Sequence, residues 1–215
     1  SLNQNLMFYI FNMDHNNILA VVLAGGKSKR FGRDKSQVKL GNKRLIDYIL
    51  NEIKDLYNDI LIVTNEPIKY LNSNKISITS DIKKGLGPLG GVFTAMKWVK
   101  DNKKNYEWIS TFPTDTPFFK KEHLNKFYKE INLEKSDLFF MKSKNTRHNI
   151  FGLWSIELFQ RLELALDKGD RKVEHWANEI GVKTIDFEHE NNKDPFFNIN
   201  TEKELETAKK LLNDD

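Results

Sequence analysis

The sequence predicts an α/β protein, a three-layer arrangement around a mostly parallel, doubly wound sheet. Three observations carry that expectation. Strand-like apolar runs alternate with segments of helical period through the first half of the chain. The first such run, Ile18 to Leu23, passes directly into a glycine-rich, basic turn, the kind of junction at which open sheets hold anions. Three later runs end in polar groups, at Asn65, Asp81 and Asp115. If the four strands are parallel neighbours, all four ends meet at one edge.

The elements follow in order. Ile18 to Leu23 is uninterruptedly apolar, as a strand buried on both faces should be. Lys43 to Tyr57 repeats Leu45, Ile46, Ile49, Leu50, Ile53 and Leu56 at helical spacing. Asp59 to Thr64 is a short β-branched strand, and Lys75 to Thr79 alternates polar with apolar as an edge strand would. Leu89 to Lys100 predicts a helix burying Leu89, Val92, Phe93, Met96 and Val99, and Glu107 to Phe112 a strand that ends in Pro-Thr-Asp. In the second half, Lys121 to Ile131, Ile156 to Leu166 and Lys172 to Ile180 read as helices. Asp137 to Met141, Asn149 to Trp154 and Val182 to Phe187 read as strands. Thr201 and Glu204 form a Thr-x-x-Glu capping box ahead of a last helix with Leu205, Ala208, Leu211 and Leu212.

A chain of 215 residues suits one α/β domain, expected over 18–215, with 1–17 an N-terminal extension that is partly a cloning remnant. The charged fraction of 30% and apolar fraction of 39% fit a soluble protein, and a cytoplasmic location is the default expectation. A net charge of +4 favours anionic ligands without demanding nucleic acid, and no basic stripe interleaved with aromatics suggests one. The absence of cysteine excludes disulfides, zinc–thiolate centres and thiol catalysis. No apolar stretch approaches the ~20 residues of a membrane span.

The turn after the first strand narrows the function most. Ala24, Gly25 and Gly26 present little side chain, so backbone N–H groups can approach one anion closely. Lys27, Lys29, Arg30, Arg33 and Lys35 then supply five positive charges, and a polyphosphate needs both features. Two common phosphate loops are excluded by spacing. The first glycine of a Walker A loop would fall on Val21, and glycines at 25, 26 and 32 do not match Gly-x-Gly-x-x-Gly.

Leu-Ala-Gly-Gly-x-Ser-x-Arg-Phe-Gly-x-Asp-Lys, residues 23–35, resembles the signature of the molybdenum cofactor guanylyltransferases, the MobA family, with Phe31 in place of the usual Met. Gly87 to Gly91, Pro113 to Pro117 and Phe196 to Thr201 resemble that family's later motifs in the same order, so the likeness spans roughly residues 18–212. Gly90 stands where alanine is commoner, which predicts a looser helix entry. The resemblance implies a Rossmann-like nucleotidyltransferase fold, with a nucleotide-binding half near 18–117 and an acceptor-binding half near 118–215. It implies transfer of GMP from GTP to molybdopterin with release of pyrophosphate, assisted by Mg²⁺. Further partners would be cofactor-biosynthesis proteins or molybdoenzyme chaperones.

Site expectations follow residue by residue. Asp115, framed by Pro113 and Pro117, is the candidate Mg²⁺ ligand, since that ion takes one or two carboxylates together with phosphate oxygens and water. Alone, the same residue also suits an Asx-turn. Gly25 and Gly26 would hold the β- and γ-phosphates, with Arg30 and Lys35 offsetting charge on the leaving group. The resemblance places the Leu23–Ala24 backbone, Asn65 and Asp81 near guanine and ribose, and Gly87 beside the nucleoside; the residues alone leave Asn65 a turn residue and Gly87 to Gly91 a tight helix entry. For the acceptor it implies Arg147, His148, Arg171, Asn198 and Asn200. His148 equally suits packing, Arg171 a helix start, and Asn200 the final helical cap. Cytidylyl transfer, sugar-phosphate nucleotidyl transfer and non-catalytic GTP binding are the alternative readings.

Overall fold

A computed structural model of the chain describes residues 15–25, 38–66, 68, 73–83, 85–131, 135–187 and 193–213. Gly26, Arg30 and Lys35 of the basic turn lie outside the described residues, as does residue 31.

The sheet contains β1 (Ile18–Leu23), β4 (Ile60–Val63), β5 (Ile76–Thr79), β6 (Trp108–Pro113), β7 (Leu138–Ser143), β8 (Thr146–Ser155) and β9 (Lys183–Phe187), in the order β5-β4-β1-β6-β8-β7-β9. β5, β4, β1 and β6 are mutually parallel; β8 alone runs against its neighbours, and β9 pairs parallel to β7. The mostly parallel sheet expected from the alternation of elements is present, with β5 at one edge. Side-chain alternation explains the layers. Ile18, Ala20 and Val22 of β1 enter one apolar cluster while Leu19 and Val21 enter the other, and β4 divides the same way.

Helices α1 (Leu45–Ile53) and α3 (Lys121–Ile131) cover the first face. Helices α2 (Gly87–Asp101), α4 (Phe159–Asp167) and α5 (Val173–Ile180) cover the second. A third cluster joins Phe118 and Ile199 to α6 (Glu202–Asn213) and to a ribbon of β2 (Lys39–Leu40) and β3 (Lys43–Arg44). Several sequence-predicted boundaries move; the first predicted helix ends at Ile53 rather than Tyr57, and the strand expected to end at Met141 runs to Ser143. Lys43 and Arg44 belong to the ribbon, and α1 starts at Leu45, where Asp47 accepts the Arg44 N–H at 3.0 Å. Ile156–Leu158 forms a 3-10 turn before α4, capped by the Ser155 hydroxyl, which accepts from the Glu157 N–H. β8 extends back to Thr146, and a bulge separates its pairing at Gly152 from that at His148.

Candidate active site

The four parallel strands finish level. Leu23 is in register with Val63 and with Pro113, and Val63 with Thr79. Residues 24–25, 64–65, 80–81 and 114–115 therefore leave the sheet side by side, along the carboxyl edge where open α/β sheets bind ligands. The row is stitched by the Ala24 N–H donating to the Val63 carbonyl and the Thr64 N–H to the Thr79 carbonyl, both at 2.9 Å. Leu23 and Ala24 are half-buried and Gly25 is exposed.

Each strand end is fixed locally. Buried Thr64 accepts the Glu66 N–H at 3.1 Å, a turn that leaves Asn65 exposed. Asp81 is buried, and its Oδ1 accepts from the Thr94 hydroxyl at 3.1 Å and from the Lys83 N–H at 3.0 Å. Half-buried Asp115 accepts the Ile199 N–H on its carbonyl at 2.9 Å. Ile199 is fully buried in the third cluster, so this bond seats Asn198 and Asn200, on either side of it, next to the strand end that carries Asp115. The final cap also forms: Glu204 accepts the Asn200 N–H at 2.7 Å and the Thr201 hydroxyl at 3.0 Å.

The glycines at the start of α2 have reasons inside the protein. Gly87 takes φ +64, in the left-handed region, and a Cβ added there would lie 3.7 Å from the Arg171 carbonyl. The loop before α5 thus lies against the entry to α2. A Cβ at Gly90 would lie 2.8 Å from the Lys83 carbonyl, and one at Gly91 would lie 2.9 Å from Leu23 Cδ2. Glycine at 90 lets the 81–83 turn seat directly on α2.

The remaining acceptor candidates make specific contacts of their own. The Arg147 guanidinium donates to Asn149 and Asn178 at 2.7 Å each and to the Glu174 carbonyl at 3.2 Å, so it is turned toward α5. His148 bonds the Ser143 hydroxyl at 2.7 Å and stacks on Phe196 with ring centroids 3.9 Å apart. Arg171 donates to the Leu166 carbonyl at 3.0 Å and to that of Asp170 at 2.8 Å, closing the end of α4. The bond between Ile199 and Asp115 brings the backbone at Asn198 and Asn200 to the strand end of Asp115; Arg147 is directed to the opposite face of the hairpin from His148. Thr94 and Lys83 are the contacts that sequence reading passed over. Their signal was a hydroxyl on the buried stripe of an apolar helix.

Among the described residues, oxygen donors at the sheet edge suit a hard cation. A single aspartate there leaves most of the coordination sphere to phosphate and water, as Mg²⁺ prefers. Asp170, His175 and Glu179 also place ligand atoms within 4.8 Å of one another. They line a separate depression of about 550 Å³ between α4 and α5, to which none of the strand-end residues contributes. There Asp170 addresses His175 Nδ1 at 3.0 Å and Glu179 addresses Nε2 at 3.9 Å. These nitrogens point to opposite sides of the ring, an arrangement for ion pairing rather than for enclosing one ion. The hydrogen bond to Asp170 holds the His175 pKa above its ordinary value, and the same bond lowers that of Asp170.

A level row of parallel strand ends, with Ala24–Gly25 after the first and Asp115 after the last, suits nucleotide binding, and the family match and relatives make the chain a nucleotidyltransferase. Solved structures share the fold. Molybdopterin-guanine dinucleotide biosynthesis protein A from Archaeoglobus fulgidus matches with a TM-score of 0.74 at 24% identity, over 92% of this chain and 100% of that one. 4-Diphosphocytidyl-2C-methyl-D-erythritol synthase from Anaerococcus prevotii matches with a TM-score of 0.72 at 13% identity, over 95% and 99%. Residues 20–183 match the model of the MobA-like NTP transferase domain, and the chain belongs to that family. A molybdenum cofactor guanylyltransferase from Rhizobium rhizogenes is 31% identical to it, over 89% of this chain and 90% of the relative. Among the described residues no helix is long and apolar enough to cross a membrane.

Proposed function

We propose that this nucleotidyltransferase moves GMP from GTP to molybdopterin, forming the guanine dinucleotide cofactor and releasing pyrophosphate. The observation that carries the reading is the level carboxyl edge, where Ala24–Gly25, Asn65, Asp81 and Asp115 emerge together. Relatives named as molybdenum cofactor guanylyltransferases, matched over nearly their whole length, support the choice of substrates.

A terminal phosphate of the acceptor attacks the α-phosphorus, and pyrophosphate leaves on the opposite side. Such a phosphate is already anionic near pH 7, so positioning and charge neutralisation do the chemical work. The turn after β1 would hold the β- and γ-phosphates through backbone N–H groups, with Arg30 and Lys35 neutralising the leaving group. Asp115 would hold Mg²⁺, which supplies charge stabilisation at the α-phosphate when bound. Asn65 and Asp81 would read the base and ribose, the carboxylate accepting from the donors on the guanine edge. Asn198 and Asn200 would meet the acceptor beside Asp115, and Arg171 would contribute from the loop before α5.

Incubation with Mg-GTP and purified molybdopterin tests the proposal by mass spectrometry of the product. The expected product has the mass of molybdopterin guanine dinucleotide, with one pyrophosphate released per product. Efficient formation of the cytosine dinucleotide from CTP, with GTP left unaltered, would contradict it.

A further inference from the structure

We infer that Thr94 is a positioning residue for base selection, its hydroxyl fixing the carboxylate of Asp81; the inference rests on reading Asp81 as a nucleotide contact. Thr94 lies on the buried side of α2, 2% exposed, among Leu89, Val92, Phe93 and Ala95 of the second apolar cluster. A β-branched polar residue is a poor choice there for packing or helix propensity alone. A helical threonine commonly turns its hydroxyl back to a carbonyl of the preceding turn. Here the hydroxyl reaches out of the helix instead. It donates to Asp81 Oδ1 at 3.1 Å and accepts the Ile82 N–H at 3.1 Å. Both capacities of the hydroxyl are spent on the segment that carries Asp81.

The surroundings tighten this hold. The Lys83 N–H donates to the same Oδ1 at 3.0 Å, and no donor among the described residues reaches Oδ2. The lack of a side chain at Gly90 lets the turn close on the helix, where an added Cβ would lie 3.5 Å from Oδ1. One carboxylate oxygen is therefore anchored from two sides, and the orientation of the other is set by that anchor. Guanine presents two adjacent donors on its Watson–Crick edge, N1–H and the exocyclic amine, whereas adenine presents one exocyclic donor next to a ring-nitrogen acceptor. A carboxylate of fixed orientation distinguishes them by accepting from one and repelling the other. Loss of the anchor should weaken discrimination between bases and leave the acceptor site unaffected.

The test compares Thr94→Val, Thr94→Ser and Asp81→Asn with the unsubstituted protein, by steady-state kinetics with GTP, ATP and molybdopterin. Thr94→Val is expected to raise KM for GTP about tenfold and to lower the GTP-to-ATP ratio of kcat/KM, because a hydrogen bond to a charged group is lost. KM for molybdopterin should stay unchanged, and Thr94→Ser should restore both nucleotide readouts. If Thr94→Val does not fold, Thr94→Ala carries the same measurements. A variant with a lower melting temperature but ordinary GTP KM and base ratio would reduce Thr94 to a structural role and overturn the inference. An Asp81→Asn protein with ordinary nucleotide kinetics would instead overturn the reading of Asp81 itself.

Discussion

At Gly90 the identity of one residue decides how the 81–83 turn meets α2. A methyl group there would stand 2.8 Å from a backbone carbonyl and 3.1 Å from Leu86 Cβ, neither of which is the far end of a flexible side chain. Gly90→Ala should therefore destabilise the protein by about 1–3 kcal/mol, the usual cost of overpacking, seen as a lower melting temperature. An unchanged melting temperature would show that the turn can retreat freely. Other residues were less legible before the structure. Asp115 stood out because prolines flank it after a buried strand. The direction of the Arg147 guanidinium did not, because its partners Glu174 and Asn178 lie on a helix about thirty positions away. His148 likewise acquires its stacking partner, Phe196, through the tertiary fold alone.

Elements whose own periodicity is strong were readable, and those defined by a neighbour were not. β1 and β4 are apolar on both faces, and α3 runs over the same residues, Lys121–Ile131, that its spacing predicts. The β2–β3 ribbon has two residues per strand, too few for an alternation to register, and it took Lys43 and Arg44 from the expected helix. The β8 bulge is set by how β7 pairs with it, which no local pattern encodes. At α6, removal of the Thr201 side chain as Thr201→Ala should cost about 1 kcal/mol, measurable by denaturant unfolding. At α5, the bond between His175 and Asp170 raises the pKa of the imidazole in the folded state. Its contribution is thus present below the ordinary histidine pKa and is lost as pH rises through the raised value. The Asp170 pKa is lowered, so its contribution is lost as pH falls through that lowered value. Asp170→Asn should return the His175 titration, followed by NMR, toward the ordinary histidine range; an unmoved titration would contradict this pairing.

For the whole molecule, alternation of elements was enough to predict a mostly parallel sheet, but not the strand order or the single reversed strand β8. Those depend on crossover connections and on packing across the two apolar clusters. The sheet does what the scattered motifs alone cannot: it finishes β5, β4, β1 and β6 level, so residues from 24 to 115 share one edge. The bond between Ile199 and Asp115 then brings the chain just before α6 to the same place. Asp115 thus lies at the junction of the proposed nucleotide and acceptor sites. Pyrophosphate release from Mg-GTP and molybdopterin by Asp115→Ala is the most direct measurement. The account predicts a fall of at least about a hundredfold, with a far-ultraviolet circular dichroism spectrum and melting temperature close to those of the unsubstituted protein. A folded Asp115→Ala protein with full activity would contradict the placement of the reaction at this edge.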